Sequence, residues 1–232
     1  MRRAILFAAA WATAGSLAAE TAVYVARGRD VSLFGPYEIS GFRLETVLEP
    51  AGVRLIVHSD PAGGDARLPA RRRRDAHLPE APDRDLLARR LTSGRSLESE
   101  AVAAVLDWIA GNVAYDPDRL RPQDPGAVFS SRRAFCVGYA ELAVDILRRA
   151  GITAATVQGV LFSDPSAPGY EPALSGIYHR WVKVFYPGQG WKFADPLGGR
   201  ARVDARYVPF SHRSWTRPED LRLMKISEAT HD

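Results

Sequence analysis

Ser131-Arg132-Arg133-Ala134-Phe135-Cys136-Val137-Gly138-Tyr139-Ala140-Glu141-Leu142 is the stretch on which the reading of this chain turns. It holds Cys136, the only cysteine among 232 residues. Behind it, Ala140, Ala143, Val144, Leu147 and Ala150 recur at i, i+3, i+4, i+7 and i+10, the spacing of one helical face. Gly151 follows, where a glycine commonly closes a helix. The spacing predicts a mostly buried helix with Cys136 in its first turn. Unpaired amides and the positive end of the helix dipole stabilise a thiolate there. Without a base, a lone cysteine is only a small buried hydrophobe.

Two later stretches supply the base and its partner. Tyr178-His179-Arg180-Trp181 lies inside an alternating run, residues 177–186, and Trp191-Lys192-Phe193-Ala194-Asp195-Pro196 follows. Between them, Tyr186-Pro187-Gly188-Gln189-Gly190 has the composition of a turn. A hairpin centred on Pro187 sets His179 and Asp195 opposite each other on one face. A centre displaced by one residue makes the pair diagonal, still on one face. A cysteine, a histidine to take its proton and a carboxylate to orient the histidine form a nucleophilic triad. The candidate catalytic residues are therefore Cys136, His179 and Asp195. His212 is a rival base by type, but it lacks a strand context and a partnered carboxylate. His58, His77 and His231 lie in the N-terminal segment, the linker and the terminus.

Cys136 with Gly138-Tyr139-Ala140, then His179-x-Trp181, then Gly190-Trp191 and Asp195-Pro196, resembles the transglutaminase-like superfamily in its bacterial-type, exported form. Trp108-Ile109 and Asn112-Val113-Ala114-Tyr115-Asp116 are similar to that family's lead-in helix and its end. The resemblance implies a papain-like Cys-His-Asp core of α+β class. A nucleophile helix packs on a mainly antiparallel sheet, with a small N-terminal β-rich appendage. Two positions depart from the family pattern. Ala134 stands where glycine is frequent, and Arg180 where a small residue often follows the histidine. Both lie beside the chemistry, where substrate choice is set.

The remaining chain frames this core. Apolar content of 46% and charged content of 25% fit a soluble globular protein. Met1-Arg2-Arg3, an apolar run and Ser16-Leu17-Ala18-Ala19 read as an export signal, residues 1–19. The apolar run is shorter than the roughly 20 residues of a membrane span. An exported protein is expected in the periplasm or medium, with no membrane span once the signal is removed. Loss of Arg2 and Arg3 lowers the net charge of +4 by two, too little to call for an acidic partner. One cysteine excludes an internal disulfide, and export makes an idle free thiol a liability.

Residues 20–60 read as a β-rich segment. Phe42, Leu44, Thr46 and Leu48 alternate with polar residues, Pro50-Ala51-Gly52 turns, and Val53-Arg54-Leu55-Ile56-Val57 returns. Residues 61–83 read as a linker; its Arg71-Arg72-Arg73-Arg74 run lacks interleaved aromatics and fits a solvated loop, not a nucleic-acid site. Residues 84–232 form the expected catalytic domain, with helices over 85–91 and 97–111 and a buried strand over 152–161. Tyr170 and Glu171 fall in a loop, residues 163–175, expected to overhang the cleft. Asp116 and Asp118 read as turn residues, since a calcium loop needs more oxygens in register. With no second cysteine or His-x-x-x-His set, neither metal nor cofactor is expected.

The implied reaction is acyl chemistry on peptide or carboxamide bonds of a peptide or protein substrate. The backbone amide of Cys136 is one oxyanion donor, and Tyr115, Trp108 and Ser130 are side-chain candidates for a second. Water as acceptor gives a protease or amidase, the reading favoured by the resemblance to hydrolytic members. An amine gives a cross-linking acyltransferase. A catalytically inactive peptide- or polymer-binding domain of the same fold is the third reading.

Overall fold

The structure is a computed structural model that describes residues 19–26, 34–50, 52–60, 75–163, 176–197, 203–210 and 221–228. Along the chain run β1 (Glu20–Ala26), β2 (Tyr37–Ile39), β3 (Phe42–Glu49), β4 (Gly52–Ser59), α1 (Pro82–Thr92) and α2 (Glu98–Asn112). Then come β5 (Ala114–Tyr115), α3 (Pro125–Ser131), β6 (Arg133–Ala134), α4 (Cys136–Arg149) and β7 (Ala154–Phe162). The chain ends with β8 (Gly176–Tyr186), β9 (Gly190–Ala194), β10 (Tyr207–Pro209) and β11 (Leu221–Glu228). The expected signal peptide, the Arg71–Arg74 run, Tyr170, Glu171, His212 and His231 lie outside the described residues, Ala19 excepted.

Helix α4 forms where the apolar spacing puts it. Ala140, Ala143, Val144, Leu147 and Ala150 are all buried. The helix stops at Gly151, which adopts φ +75°, a conformation open to glycine at little cost. The Gly151 amide donates to the Arg148 carbonyl and the Ile152 amide to the Leu147 carbonyl, at 3.0 and 2.9 Å. This is a Schellman closure. Arg149 is buried against α1. Its Nε donates to Asp145 Oδ2 and its Nη1 to Asp85 Oδ1, both at 2.8 Å, and its Nη2 to the Pro79 carbonyl at 3.0 Å.

Three layers result, in an α+β architecture. A four-stranded antiparallel sheet, β10-β7-β8-β9, lies between the helices and a five-stranded antiparallel sheet, β11-β1-β4-β3-β2. Strand β8 serves both interfaces by alternation. Val182 and Val184 join the core built from α1, α2 and α4. Trp181, one residue out of phase, joins Tyr24, Phe42, Leu44, Val53 and Leu55 of the five-stranded sheet.

The N-terminal β-rich segment contains the anticipated β3–β4 hairpin, with Glu49 paired to Gly52. Its alternation fades along β3: Phe42 and Leu44 are buried, whereas Leu48 is 79% exposed. The sheet takes its outer strand, β11, from the far end of the chain, beyond the segment the sequence assigns to it. Ser40 N–H donates to the Trp191 carbonyl, and Ser59 Oγ to the Val203 carbonyl. These bonds tie it to the sheet that carries His179. Among the described residues no helix is long and apolar enough to cross a membrane.

Candidate active site

Cys136 is the first residue of α4, following the extended Phe135. No side chain caps the helix from Phe135. Gln123 does so from a loop: its Oε1 accepts from the amides of Phe135 and Gly138, at 3.2 and 3.1 Å. Gly138 permits this approach. A Cβ there would meet Gln123 Oε1 at 2.4 Å and the Ala134 Cβ at 2.7 Å. The parallel β5–β6 pair sets Tyr115 beside Ala134. Asp116 fastens that pair, accepting from Arg121 and Arg133 Nε at 3.0 Å each. The Asp118 amide, first, and then these guanidinium groups hold its carboxyl below the usual range, against partial desolvation. Asp116 is thus an ion-pair hub as well as the turn residue the sequence suggests.

His179 lies on β8 opposite Gly159 of β7. It stacks on Trp181 (ring centroids 6.1 Å apart, 19° between planes) and meets Tyr207 at 5.9 Å. Gly159 lacks a Cβ that would strike the Val208 carbonyl at 2.1 Å and Trp181 at 2.5 Å. The β8–β9 hairpin pairs Tyr186 with Gly190 and Val182 with Ala194, so its centre falls one residue after Pro187. Asp195 is accordingly diagonal to His179, on the same face. Its Oδ2 accepts from His179 Nε2 and from Tyr207 Oη, each at 2.7 Å, and its Oδ1 from the Leu197 amide at 2.9 Å. With Nε2 so engaged, Nδ1 is the nitrogen left for Cys136.

The structure brings Cys136, His179 and Asp195 together. Cys136 and His179 line one cavity of about 360 Å³ with Tyr115, Arg119, Tyr178, Arg180 and others. Asp195 stands behind the histidine, 2% exposed. Burial, the largest influence, pushes the His179 pKa down. The charge and hydrogen bond of Asp195, then the hydrogen bond and charge of Cys136, outweigh it and raise the pKa to about 9.

Of the three side-chain candidates for an oxyanion donor, only Tyr115 reaches this cavity. Trp108 stacks with Phe129 under the Arg132 guanidinium and lines a separate cavity. Ser130 is exposed on α3. Of the two departures from the family pattern, Ala134 is buried and Arg180 Nη1 donates to Glu141 Oε1 at 3.0 Å. His58 sits in the five-stranded sheet against Thr21, remote in function from this cleft. Among the described residues no group of three or more His, Cys, Asp and Glu is placed to hold a metal ion. Gln123 and Tyr207 escaped sequence reasoning because neither lies in a periodic or motif-bearing stretch.

Residues 85–196 match the Transglutaminase-like superfamily. This segment, just under half of the chain, is transglutaminase-like. The chain is similar to the kyphoscoliosis peptidase of Mus musculus, 28% identical over 120 residues, which is 48% of this chain and 17% of the relative. It is also similar to a protein-glutamine gamma-glutamyltransferase of Pseudomonas aeruginosa, 34% identical over 84 residues, 33% of this chain and 13% of the relative. The chain therefore spans less than a fifth of either relative's length. Among solved structures, the periplasmic domain of TgpA from Pseudomonas aeruginosa is similar with a TM-score of 0.40 and 20% identity. That likeness covers 78% of this chain and 87% of the other.

Proposed function

We propose that this transglutaminase-like chain is a thiol hydrolase acting on peptide or carboxamide bonds through Cys136, His179 and Asp195. The observation that carries this reading is the His179 Nε2–Asp195 Oδ2 bond of 2.7 Å, which presents Nδ1 to the cavity shared with Cys136. The proton of Cys136 rests on His179 Nδ1, as the raised histidine pKa favours, and the Cys136 Sγ thiolate attacks the substrate carbonyl. The carbonyl π electrons move to oxygen, where the Cys136 backbone N–H and the Tyr115 hydroxyl donate hydrogen bonds. Collapse expels the amine, which takes the proton from His179 and leaves a thioester on Cys136. Water, deprotonated by His179, attacks the thioester and releases the carboxylic acid. Asp195 fixes the ring tautomer and stabilises the imidazolium.

The same thioester passed to an amine gives cross-linking; the Pseudomonas relative is named for gamma-glutamyl transfer from protein glutamine. Mass spectrometry of products, with and without a primary amine, separates the two acceptors. Residues 1–19 read as an export signal, which places the enzyme in the periplasm or medium with a peptide or protein substrate. The catalytic unit lies within residues 84–232, and residues 20–60 form a β-rich partner layer that β11 of that unit completes. Cys136→Ala tests the nucleophile: release of amine from a peptide library should cease, with circular dichroism unchanged because alanine suits a helix. Full activity in that variant removes Cys136 from the chemistry.

A further inference from the structure

Among the described residues, the walls of the Cys136 cavity carry more positive charge than is neutralised. Its lining includes, among the described residues, Arg119, Arg180 and His179, and no acidic residue. Arg119 is exposed and makes no ion pair among the described residues. It lies close enough to Tyr115 for its charge to act on the hydroxyl: burial and then Cys136 raise the Tyr115 pKa, and Arg119 opposes them. Arg180 spends one nitrogen, Nη1, on Glu141. Its Nε is buried and has no hydrogen-bond partner among the described residues. A buried donor left without an acceptor is destabilising, so it marks a place where an acceptor belongs. Arginine also presents its donors as a planar fork matched to a carboxylate, which a point charge would not. A neutral amide could accept a hydrogen bond from a guanidinium but would not offset its charge.

We infer that the substrate carries a carboxylate next to the bond that is cleaved, held by Arg119 and Arg180 on the rim of the Cys136 cavity. An acidic residue or a free chain terminus beside the scissile amide supplies that group equally well. The inference rests on the proposed acyl chemistry at Cys136 and adds its substrate class. Arg180 and Arg119 are then specificity-determining residues, and Glu141 is the internal carboxylate that partly occupies Arg180 until substrate arrives.

Alkylation of Cys136 tests this without knowledge of the natural substrate. Iodoacetate and iodoacetamide each transfer a substituted methylene to the thiolate sulfur and release iodide. They are nearly the same size and differ in charge. Cys136 is the only cysteine, so each rate reports one site. The quantity read is the iodoacetate-to-iodoacetamide rate ratio, divided by that of N-acetylcysteine. Arg119→Gln, at an exposed position, should lower it about threefold, the scale of a unit charge some 7 Å away in a water-like dielectric. Glu141→Gln frees Arg180 and should raise it by a similar factor, with the iodoacetamide rate unchanged. Both effects should shrink in 1 M salt. A ratio unmoved by both substitutions, with Cys136 reactive, overturns the carboxylate inference and leaves the thiol hydrolase reading standing. A folded protein whose Cys136 is inert to both reagents overturns both. Loss of reactivity toward the two reagents together in Glu141→Gln would assign Glu141 a structural role and count against the inference.

Discussion

Replacing Asp195 by asparagine tests the orientation of His179. In the wild type both carboxylate oxygens are occupied, Oδ1 by the Leu197 amide and Oδ2 by His179 Nε2 and Tyr207 Oη. Asparagine offers one acceptor and one donor group. If its oxygen stays on Leu197, its NH₂ faces His179 and Nε2 must accept. The ring proton then sits on Nδ1, where it faces Cys136, and the neutral imidazole cannot take the thiol proton. If the amide turns over, its NH₂ meets the Leu197 N–H and leaves a buried donor unsatisfied, at about 1–3 kcal/mol. Either arrangement weakens the base. The corresponding change in a Ser-His-Asp triad costs about 10⁴ in turnover, and a thiol leans less on its base than a hydroxyl does. The expected loss is therefore on the order of 10² to 10³ in kcat, about 3–4 kcal/mol of barrier. The assay is steady-state turnover of the variant against wild type, with circular dichroism on both. Wild-type turnover in a folded Asp195→Asn protein would refute the reasoning, and His179 would need another orienting group.

Gly138→Ala should destabilise the protein by about 1–3 kcal/mol through overpacking. The new methyl has no room beside Gln123 and Ala134, and a lowered thermal midpoint would show it. Arg149→Met should cost about 1–3 kcal/mol, because Asp85 loses the Arg149 guanidinium while Asp145 keeps Arg84; urea titration measures this. The His179 pair makes stability depend on pH in one direction. The folded-state pKa is raised from 6.5 to about 9, so its contribution is complete below pH 6.5 and is lost as pH rises through about 9. Unfolding free energies from urea titration at pH 6 and pH 10 should differ by on the order of 3 kcal/mol. Asp195→Asn should abolish most of that difference.

The sequence carried the local elements of this fold and the members of the candidate site. The 3.6-residue spacing of Ala140, Ala143 and Leu147 and the stop at Gly151 specify α4, because both signals act within a few residues. The β8–β9 turn is just as local, although its composition alone left the centre uncertain between Pro187 and the next residue. That one-residue ambiguity changed a direct pair into a diagonal one without moving Asp195 off the face of His179. What the sequence did not show depends on contacts between distant segments. Gln123 reaches α4 from a proline-rich loop, and Tyr207 reaches Asp195 from β10. The burial of Arg149 is visible only once α1 stands beside α4. The extra strand, β11, is beyond any local rule, since its partner is β1.

That pairing of β1 with β11 has a consequence for how the chain is made. On a ribosome, β1 to β4 emerge first and can zip into their hairpins at once. The outer edge of β1 must then wait for residues 221–228, which pair with it from Ala26 back to Glu20, with a register shift between Tyr24 and Val23. The Tyr24 hydroxyl likewise waits for the Ala205 carbonyl, 181 residues further on. Until those residues arrive, the nascent protein carries an unpaired edge strand, the feature on which chains template aggregation. Contacts of such long sequence separation are also the slow ones to form. Closure of this sheet is therefore a late step in synthesis, and a chain released short of β11 would keep its catalytic residues while exposing a sticky flank.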